Sequence, residues 1–409
     1  MRSINVVGLF HLLVSRWSFL SFVLVLLGAS VLRLHGVNWD AGYAFHPDER
    51  SIYMQSDCIY RILKALPYQD CLHNRPEVIP GFPSISVFID SAKSPLNPHW
   101  FPIGSMILYL PVMLRFVLEP FADFSALDIR YIMRPIAAFA DIGCIVFVYL
   151  IGKRIYGHGV ALLAAFLIAV SVIHIQNSHF YRPETMVVLF STASLWAMLR
   201  VLDHNRMRDW IILGVGIGLA FATKVTVLPL LIPLGVTFIF CAFAYDIRCW
   251  LSERKIWGLV LKLAIAFTVA LAMFVFWTPY AFLDASKFLN DIFWESSIAR
   301  EAGKMPYTVQ YIGTIPFWYE LRQSSVWALG IPLGVTAWLG VLFSVYVSYR
   351  YKNRKEIILL CWVVPVFVVV SLFEVKFLRY VFPIIPIIIL FGARLLVEII
   401  NWAKINYPK

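Results

Sequence analysis

The sequence predicts an all-α integral membrane protein, a polytopic helical bundle of about ten spans, and three observations predict it. Of 409 residues, 60% are hydrophobic and only 14% are charged, whereas soluble domains run at roughly 45–50% apolar and about 25% charged. Mean hydropathy is +0.76. The apolar residues also fall in long runs, of the order of the roughly 20 residues that cross a bilayer as a helix, separated by short polar segments.

The first run covers residues 17–34 and follows Arg2 and Arg16. Arg16 lies deep in the chain for the basic region of a cleaved leader, and many spans follow, so this run is expected to stay as the first span. The largest polar region comes next, about residues 35–130. Further runs lie at 131–152, 159–178, 184–201, 210–223, 225–245, 257–279, 326–347, 357–373 and 380–398, of which 210–223 is short. The stretch 101–118 is apolar but interrupted by Pro102, Pro111, Arg115 and Glu119. It reads as a helix lying in the membrane interface rather than a span.

Orientation follows from the basic loops. Lys153–Arg154, Arg200–Arg206–Arg208, Arg248–Arg254–Lys255 and Arg350–Lys352–Arg354–Lys355 fall between runs, and the positive-inside rule assigns such loops to the cytoplasm. The net charge of +11 is therefore a topological signal, and a nucleic-acid partner is excluded. Ten spans place both ends of the chain in the cytoplasm and the loops 35–130 and about 280–325 outside. With no internal repeat and no low-complexity linker, residues 1–409 read as a single integral membrane domain.

Two cysteines, Cys58 and Cys71, share the first outer loop. They form a disulfide if that loop meets an oxidising space; two free thiols are the alternative. His46, His99, His174 and His179 lie near the outer face without a metal-ligand spacing. No cofactor is called for, and a divalent cation stays open.

The outer face gathers Asp48, Glu49, Arg130, Arg134, Arg182, Glu184, Lys224, Lys376 and Arg379. Ionisable groups at membrane level are costly and mark functional sites by default. Asp48–Glu49, in "YAFHPDERSIYMQ", reads either as a general base with a partner or as acids at a helix N-terminus. Arg134 opens a span beside Pro135, where it can meet a phosphate or simply snorkel. In "YRPET", Arg182 and Glu184 either neutralise each other or bind and orient an anion. Lys224 interrupts two apolar runs with no partner nearby in sequence, which suits a lipid phosphate. Arg379 and Tyr380 open the last span as Arg134 opens its own. One acidic pair facing several cations fits a reaction with a phosphate leaving group, in which cations hold the growing charge.

These residues resemble the polyprenyl-phosphate-dependent glycosyltransferases of the GT-C superfamily. The likeness is greatest to family 39, the dolichyl-phosphate-mannose protein mannosyltransferases, and to bacterial aminoarabinose transferases of lipid A. The carrying motifs occur in order: the acidic pair after the first span, "RPIAAFADIGCIVFVYLIGKRIYG", "SHFYRPETMVVLF", "GVGIGLAFATKVTVLPLLIPL" and "RYVFPIIPIIILFGARLL". The resemblance implies a GT-C-type bundle with interfacial helices in its first outer loop. It implies Asp48 as the base and Glu49 as its support. Lys224, Arg134, Arg379 and Arg182 would contact the carrier phosphate, and Glu184, Tyr380 and His46 would support them. The implied partners are a polyprenyl-phosphate sugar donor, membrane lipid, and a lipid, glycan or protein acceptor whose hydroxyl receives the sugar with inversion. There are departures: "NPHWFPIG" spaces out a paired-proline motif, residue 184 is Glu where many members have Asp, and no lumenal insertion of the eukaryotic protein mannosyltransferases is visible. A bacterial-type relative is the expectation. A lipid-phosphate or lipid-linked-sugar transporter is the competing class; it predicts internal repeats and charges along a path through the bilayer.

Overall fold

In hydrocarbon, every backbone N–H and C=O must be satisfied within its own helix or within a closed sheet. Among the described residues every regular element is a helix. The structure is a computed structural model that describes residues 6–68, 77–123, 128–243 and 253–407, the side chains of 6–16 and 253–255 excepted.

The chain enters through α1 (Val6–Leu34), and the long polar segment after it carries α2 (Pro47–Leu63), α3 (Ile85–Ile89) and α4 (Met106–Leu118). The bundle continues with α5 (Arg130–Tyr156), α6 (His158–Ala169), α7 (Val172–Ser178), α8 (Pro183–His204) and α9 (Met207–Thr223). A 3₁₀ turn, Val225–Leu230, runs into α10 (Leu231–Ala242), and α11 (Glu253–Trp277) follows. The segment 280–325 holds α12 (Tyr280–Leu283), α13 (Ala285–Arg300) and α14 (Trp318–Gln323). The chain then folds into α15 (Ile331–Tyr351), α16 (Arg354–Leu372) and α17 (Ile385–Asn406), the last preceded by the turns Leu378–Tyr380 and Phe382–Ile384.

Each of the ten expected apolar runs contains a helix. Among the described residues, 8 helical stretches are long and apolar enough to cross a membrane, and 9 if α6 and α7, bent by 56° at their break, count as one span. The stretch that departs from the expected ten is α9, which has 17 residues, below the roughly 20 a straight span needs. It is held by close packing between α8 and α11. A Cβ on Gly214 or Gly218 would lie 2.5 Å or 2.4 Å from the carbonyl oxygens of Ala266 or Ala270, the small-residue approach that lets membrane helices touch backbone to backbone. The interfacial reading of 101–118 fits α4, whose 13 residues contain Pro111 and reach only about 20 Å against a hydrocarbon core of about 30 Å.

A buried charge cluster binds the broken span to its neighbours. Arg33, at the end of α1, donates to Asp141 of α5 (2.7 Å) and to the carbonyls of Ala169 (2.9 Å) and Ile168 (3.2 Å) that end α6. His174 of α7 meets the other Asp141 oxygen at 2.6 Å. Cys58, on α2, is disulfide-bonded; Cys71 lies outside the described residues.

Charged side chains gather at both ends of the bundle. Helix α5 begins at Arg130 and Arg134 and ends at Lys153 and Arg154, so these sets stand at opposite ends of one helix. At the second end Asp203 pairs with Arg154 (2.6 Å) and Lys355 (3.0 Å). Arg248 and the side chains of Arg254 and Lys255 lie outside the described residues. The first end collects the starts of α2, α8 and α17 and the finish of α9.

Candidate active site

Helix α2 starts with Pro47 and carries Asp48 and Glu49 in its first turn. Proline costs no hydrogen bond there, and acids suit the positive end of the helix dipole. Successive helical residues point about 100° apart, so the two carboxylates diverge into two networks.

Glu49 turns inward and is fully buried. Its Oε1 accepts from the Tyr53 hydroxyl (2.6 Å), the Tyr181 backbone N–H (2.8 Å) and Arg134 Nε (2.9 Å), and its Oε2 accepts from Arg134 Nη2 (2.9 Å). The remaining guanidinium hydrogens of Arg134 go to Asp40 Oδ1 (3.2 Å), Asp40 Oδ2 (2.8 Å) and the Val37 carbonyl (2.7 Å). All five N–H groups are thus committed, and the Arg134 and Asp40 side chains are sealed from solvent. Burial works to raise the Asp40 carboxyl, but hydrogen bonds from Arg134 and the Gly42 backbone outweigh it and hold the group below its usual range. Arg134, which the resemblance assigns to the carrier phosphate, is here a clamp between the loop leaving α1 and the start of α2.

Asp48 turns outward, its side chain 47% exposed, and its Oδ2 takes Arg379 Nη1 at 2.9 Å. From Arg379 the network runs to Glu184, whose Oε1 lies 3.8 Å from Arg379 Nε and 3.6 Å from Lys224 Nζ. Glu184 Oε2 lies 3.8 Å from Arg182 Nε. Arg182 donates through Nη1 to His46 Nε2 (3.1 Å) and through Nη2 to Asn177 Oδ1 (2.5 Å). Burial and the Arg182 cation press the His46 imidazole below its usual 6.5, while Asp48 works against them.

Helix ends set these side chains in place. Arg182 is the N-cap of α8, with Pro183 first and Glu184 in the opening turn. Lys224 is the C-cap of α9, where a cation complements the negative end of the dipole. The loop before α4 seats that end: Gly104 N–H donates to the Thr223 carbonyl at 2.9 Å. A Cβ on Gly104 would come 1.8 Å from the Ala222 carbonyl oxygen, so only glycine fits so close to Lys224. Arg379 lies in the 3₁₀ turn before α17, its guanidinium 4.5 Å from the Phe377 ring centroid.

The two networks differ in how fully their donors are used. Among the described residues, Arg182 Nε, Arg379 Nε, His46 Nδ1 and Glu184 Oε2 are buried without a hydrogen-bond partner. Tyr380, the last of the sequence candidates, packs edge-on against Phe377 with centroids 5.5 Å apart. Arg130 is buried, its guanidinium 4.8 Å from the Tyr131 ring. Lys376 is buried against Glu320 and stands apart from the network.

Sequence reasoning missed Asp40 and Glu295. Asp40 is a lone acid in a glycine turn, and nothing local announces its partner on α5. Glu295 lies on α13 in the segment 280–325, without a motif around it. Its carboxyl is raised above the usual range, chiefly by desolvation and further by the Asp48 charge, with Lys224 and Arg379 opposing. Among the described residues no cluster of three or more His, Cys, Asp or Glu is placed to hold a metal ion.

Comparison with known proteins bears on the fold. Residues 111–285 match the family described as dolichyl-phosphate-mannose-protein mannosyltransferase. The undecaprenyl phosphate-alpha-4-amino-4-deoxy-L-arabinose arabinosyl transferase 2 of Proteus mirabilis is 25% identical over 332 residues, covering 70% of this chain and 55% of the relative. The corresponding Pectobacterium carotovorum transferase is 26% identical, covering 57% of this chain and 39% of its own length. The chain spans about half the length of the curated relatives it matches. Among solved structures, ArnT from Cupriavidus metallidurans bound to undecaprenyl phosphate superposes with a TM-score of 0.59 at 16% identity, over 94% of this chain and 60% of that one. The archaeal oligosaccharyltransferase AglB from Archaeoglobus fulgidus, in complex with an inhibitory peptide and a dolichol-phosphate, gives 0.57 at 15%, over 95% and 51%. The chain has the fold of the GT-C superfamily, to which the polyprenyl-phosphate glycosyltransferases belong.

Proposed function

We propose that this protein is a membrane glycosyltransferase, working as one integral domain, that moves a pentosyl or hexosyl group from a polyprenyl-phosphate donor to an acceptor hydroxyl. The observation that carries the reading is the pair of buried guanidinium donors, Arg182 Nε and Arg379 Nε, that lack acceptors and flank Glu184 beside Lys224. Buried donors without acceptors are rare in folded proteins and call for an explanation. Two such donors on cations next to an ammonium make a receptor for an oxyanion. The names of the relatives and the undecaprenyl phosphate in the ArnT structure support a lipid phosphate as that anion.

In this reading Asp48 is the base. It takes the proton of an acceptor hydroxyl as the oxygen attacks the anomeric carbon from the side opposite the phosphate. The carbon–oxygen bond to the phosphate breaks, and the polyprenyl phosphate leaves with the electron pair. Its growing charge is held by Lys224, Arg379 and Arg182. A single displacement inverts the centre, and a phosphate leaving group needs no covalent enzyme intermediate. Arg379 pairs with Asp48 before the reaction, so a donor phosphate that engages Arg379 also releases the carboxylate. Glu184 spaces the three cations, and Glu49 fixes the turn that carries Asp48. The site lies at the end of the bundle opposite the basic loops, which supports an extracytoplasmic orientation.

The test is to incubate the purified full chain with labelled undecaprenyl-phosphate sugars and lipid, glycan and peptide acceptors. Acceptor-dependent label transfer with release of free undecaprenyl phosphate is expected. Movement of the intact lipid-linked sugar between vesicle leaflets with no cleavage would make the protein a transporter.

A further inference from the structure

The segment Phe373–Phe377, which ends two residues before Arg379, is fastened from several sides. Lys376 donates to the carbonyls of Ser371 (2.8 Å) and Phe373 (2.5 Å), closing the C-terminal end of α16. Its ammonium also lies 3.4 Å from Glu320 Oε1 on α14, with side-chain exposures of only 1% and 3%. Neither Glu320 oxygen has a hydrogen-bond partner among the described residues, so Lys376 supplies the compensation that this buried carboxylate requires. Val375 N–H donates to the Ala299 carbonyl at 3.1 Å, and Glu374 Oε2 accepts from Ala302 N–H at 2.8 Å. Both of these partners belong to the end of α13 and the residues just after it. Phe377 then packs on Tyr311 (5.3 Å) and Tyr380 (5.5 Å) and supports the Arg379 guanidinium. The segment 280–325 is thereby joined to the short stretch that carries Arg379.

We infer that the buried Lys376–Glu320 pair is a positioning device that sets the reach of Arg379 toward the donor phosphate. This rests on the reading of Arg379 as a phosphate ligand. Neither Lys376 nor Glu320 touches substrate. The pair acts by holding the strap between α16 and α17 against the segment 280–325. Without the Glu320 charge, the lysine loses its counter-ion in a site closed to water, and the strap relaxes toward solvent. Arg379 moves with it, while Lys224, on α9, keeps its place.

A double-mutant cycle on the full chain in nanodiscs tests this, with undecaprenyl phosphate as the probe and its Kd as the readout. Glu320→Gln is expected to weaken binding about tenfold in the wild-type background and to add nothing in an Arg379→Ala background, because coupled residues are not additive. Multiplication with Arg379→Ala, or an unchanged Kd for Glu320→Gln alone, overturns the positioning role. An unchanged Kd for Arg379→Ala removes the phosphate-ligand reading and this proposal together. Should Glu320→Gln fail to fold, Lys376→Met/Glu320→Leu carries the same test. It leaves no unpaired charge in the closed site, so the protein folds, but it removes the fastening of the strap, the lysine's bonds to the Ser371 and Phe373 carbonyls included, so the same tenfold loss, absent in the Arg379→Ala background, is required of it.

Discussion

Asp48 and Glu49 are neighbours in the chain, yet they belong to different kinds of ionic structure. Behind Glu49, one arginine faces two carboxylates, every N–H is matched, and water is excluded. In front of Asp48, three cations share two carboxylates at separations of 2.9 to 3.8 Å, and two guanidinium donors have no acceptor. A saturated, sealed network holds a shape. An under-satisfied, partly open one can exchange partners. On the proposed reading, the molecule separates scaffold from chemistry within a single helical turn. Arg134 and Arg379, alike in sequence context, fall one into each network.

Two substitutions break the comparison most sharply. Asp48→Asn leaves the sealed network untouched, so the protein should fold and bind donor while transfer falls by about 10²–10⁴, the usual contribution of a general base. Undiminished turnover with correct folding would remove Asp48 as base. Glu49→Gln should act mainly on stability: Arg134 keeps Asp40 as its counter-ion, but an amide NH2 now faces a buried guanidinium donor in a closed site, a loss of about 1.5–3 kcal/mol. A thermal melt of the two variants side by side reads the difference. Equal melting temperatures would mean that the inner network bears no more load than the outer one.

Lys224→Met sharpens the comparison within the open network. The ammonium is 22% exposed and sits 3.6 Å from Glu184, so its loss should hardly affect folding. A charge-assisted contact to a ligand is worth about 1.5–3 kcal/mol, which corresponds to a roughly ten- to hundredfold rise in donor KM with a smaller change in kcat. A fall in kcat at constant KM would shift Lys224 from holding the donor to stabilising only the departing phosphate.

Much of the architecture was legible because lipid imposes a crude code: long apolar runs become helices, and their ends carry the exceptions. The same code exposed Asp48, Arg182, Glu184, Lys224 and Arg379, since a charge bordering a span has few structural excuses. It could not assign partners. Arg134 beside Pro135 and Arg379 beside Tyr380 read alike, and only folding brings Asp40, 94 residues earlier, onto Arg134. Asp40 lacked a signal because its turn resembles any solvated loop. Lys376 presented itself as another outer-face cation, but Glu320 reaches it from a different loop and takes it out of the site. The α9 span fell short because helix–helix contact through Gly214 and Gly218 substitutes for length, a feature that hydropathy does not record.

The smallest effect concerns acidity. His46 Nε2 accepts from Arg182, so the imidazole must be neutral at that nitrogen, and burial and the Arg182 charge depress its pKa below 6.5. A depressed histidine contributes stability that is present above its unfolded value and lost as pH falls through the folded one, because the unfolded chain binds the proton more readily. The window therefore opens below 6.5. Protonation there removes the acceptor and sets an imidazolium against Arg182, while the nearby carboxylates of Asp48 and Glu49 soften the repulsion and Arg379 adds to it. Donor KM should rise a fewfold on acidification as Arg182 is displaced. His46→Gln keeps an acceptor oxygen for Arg182 and cannot titrate, so its donor KM should stay level through the same window. A wild-type KM that is flat below 6.5 would remove His46 as a pH-sensitive partner of Arg182, and a His46→Gln profile that follows wild type would show that the acid sensitivity does not reside in His46.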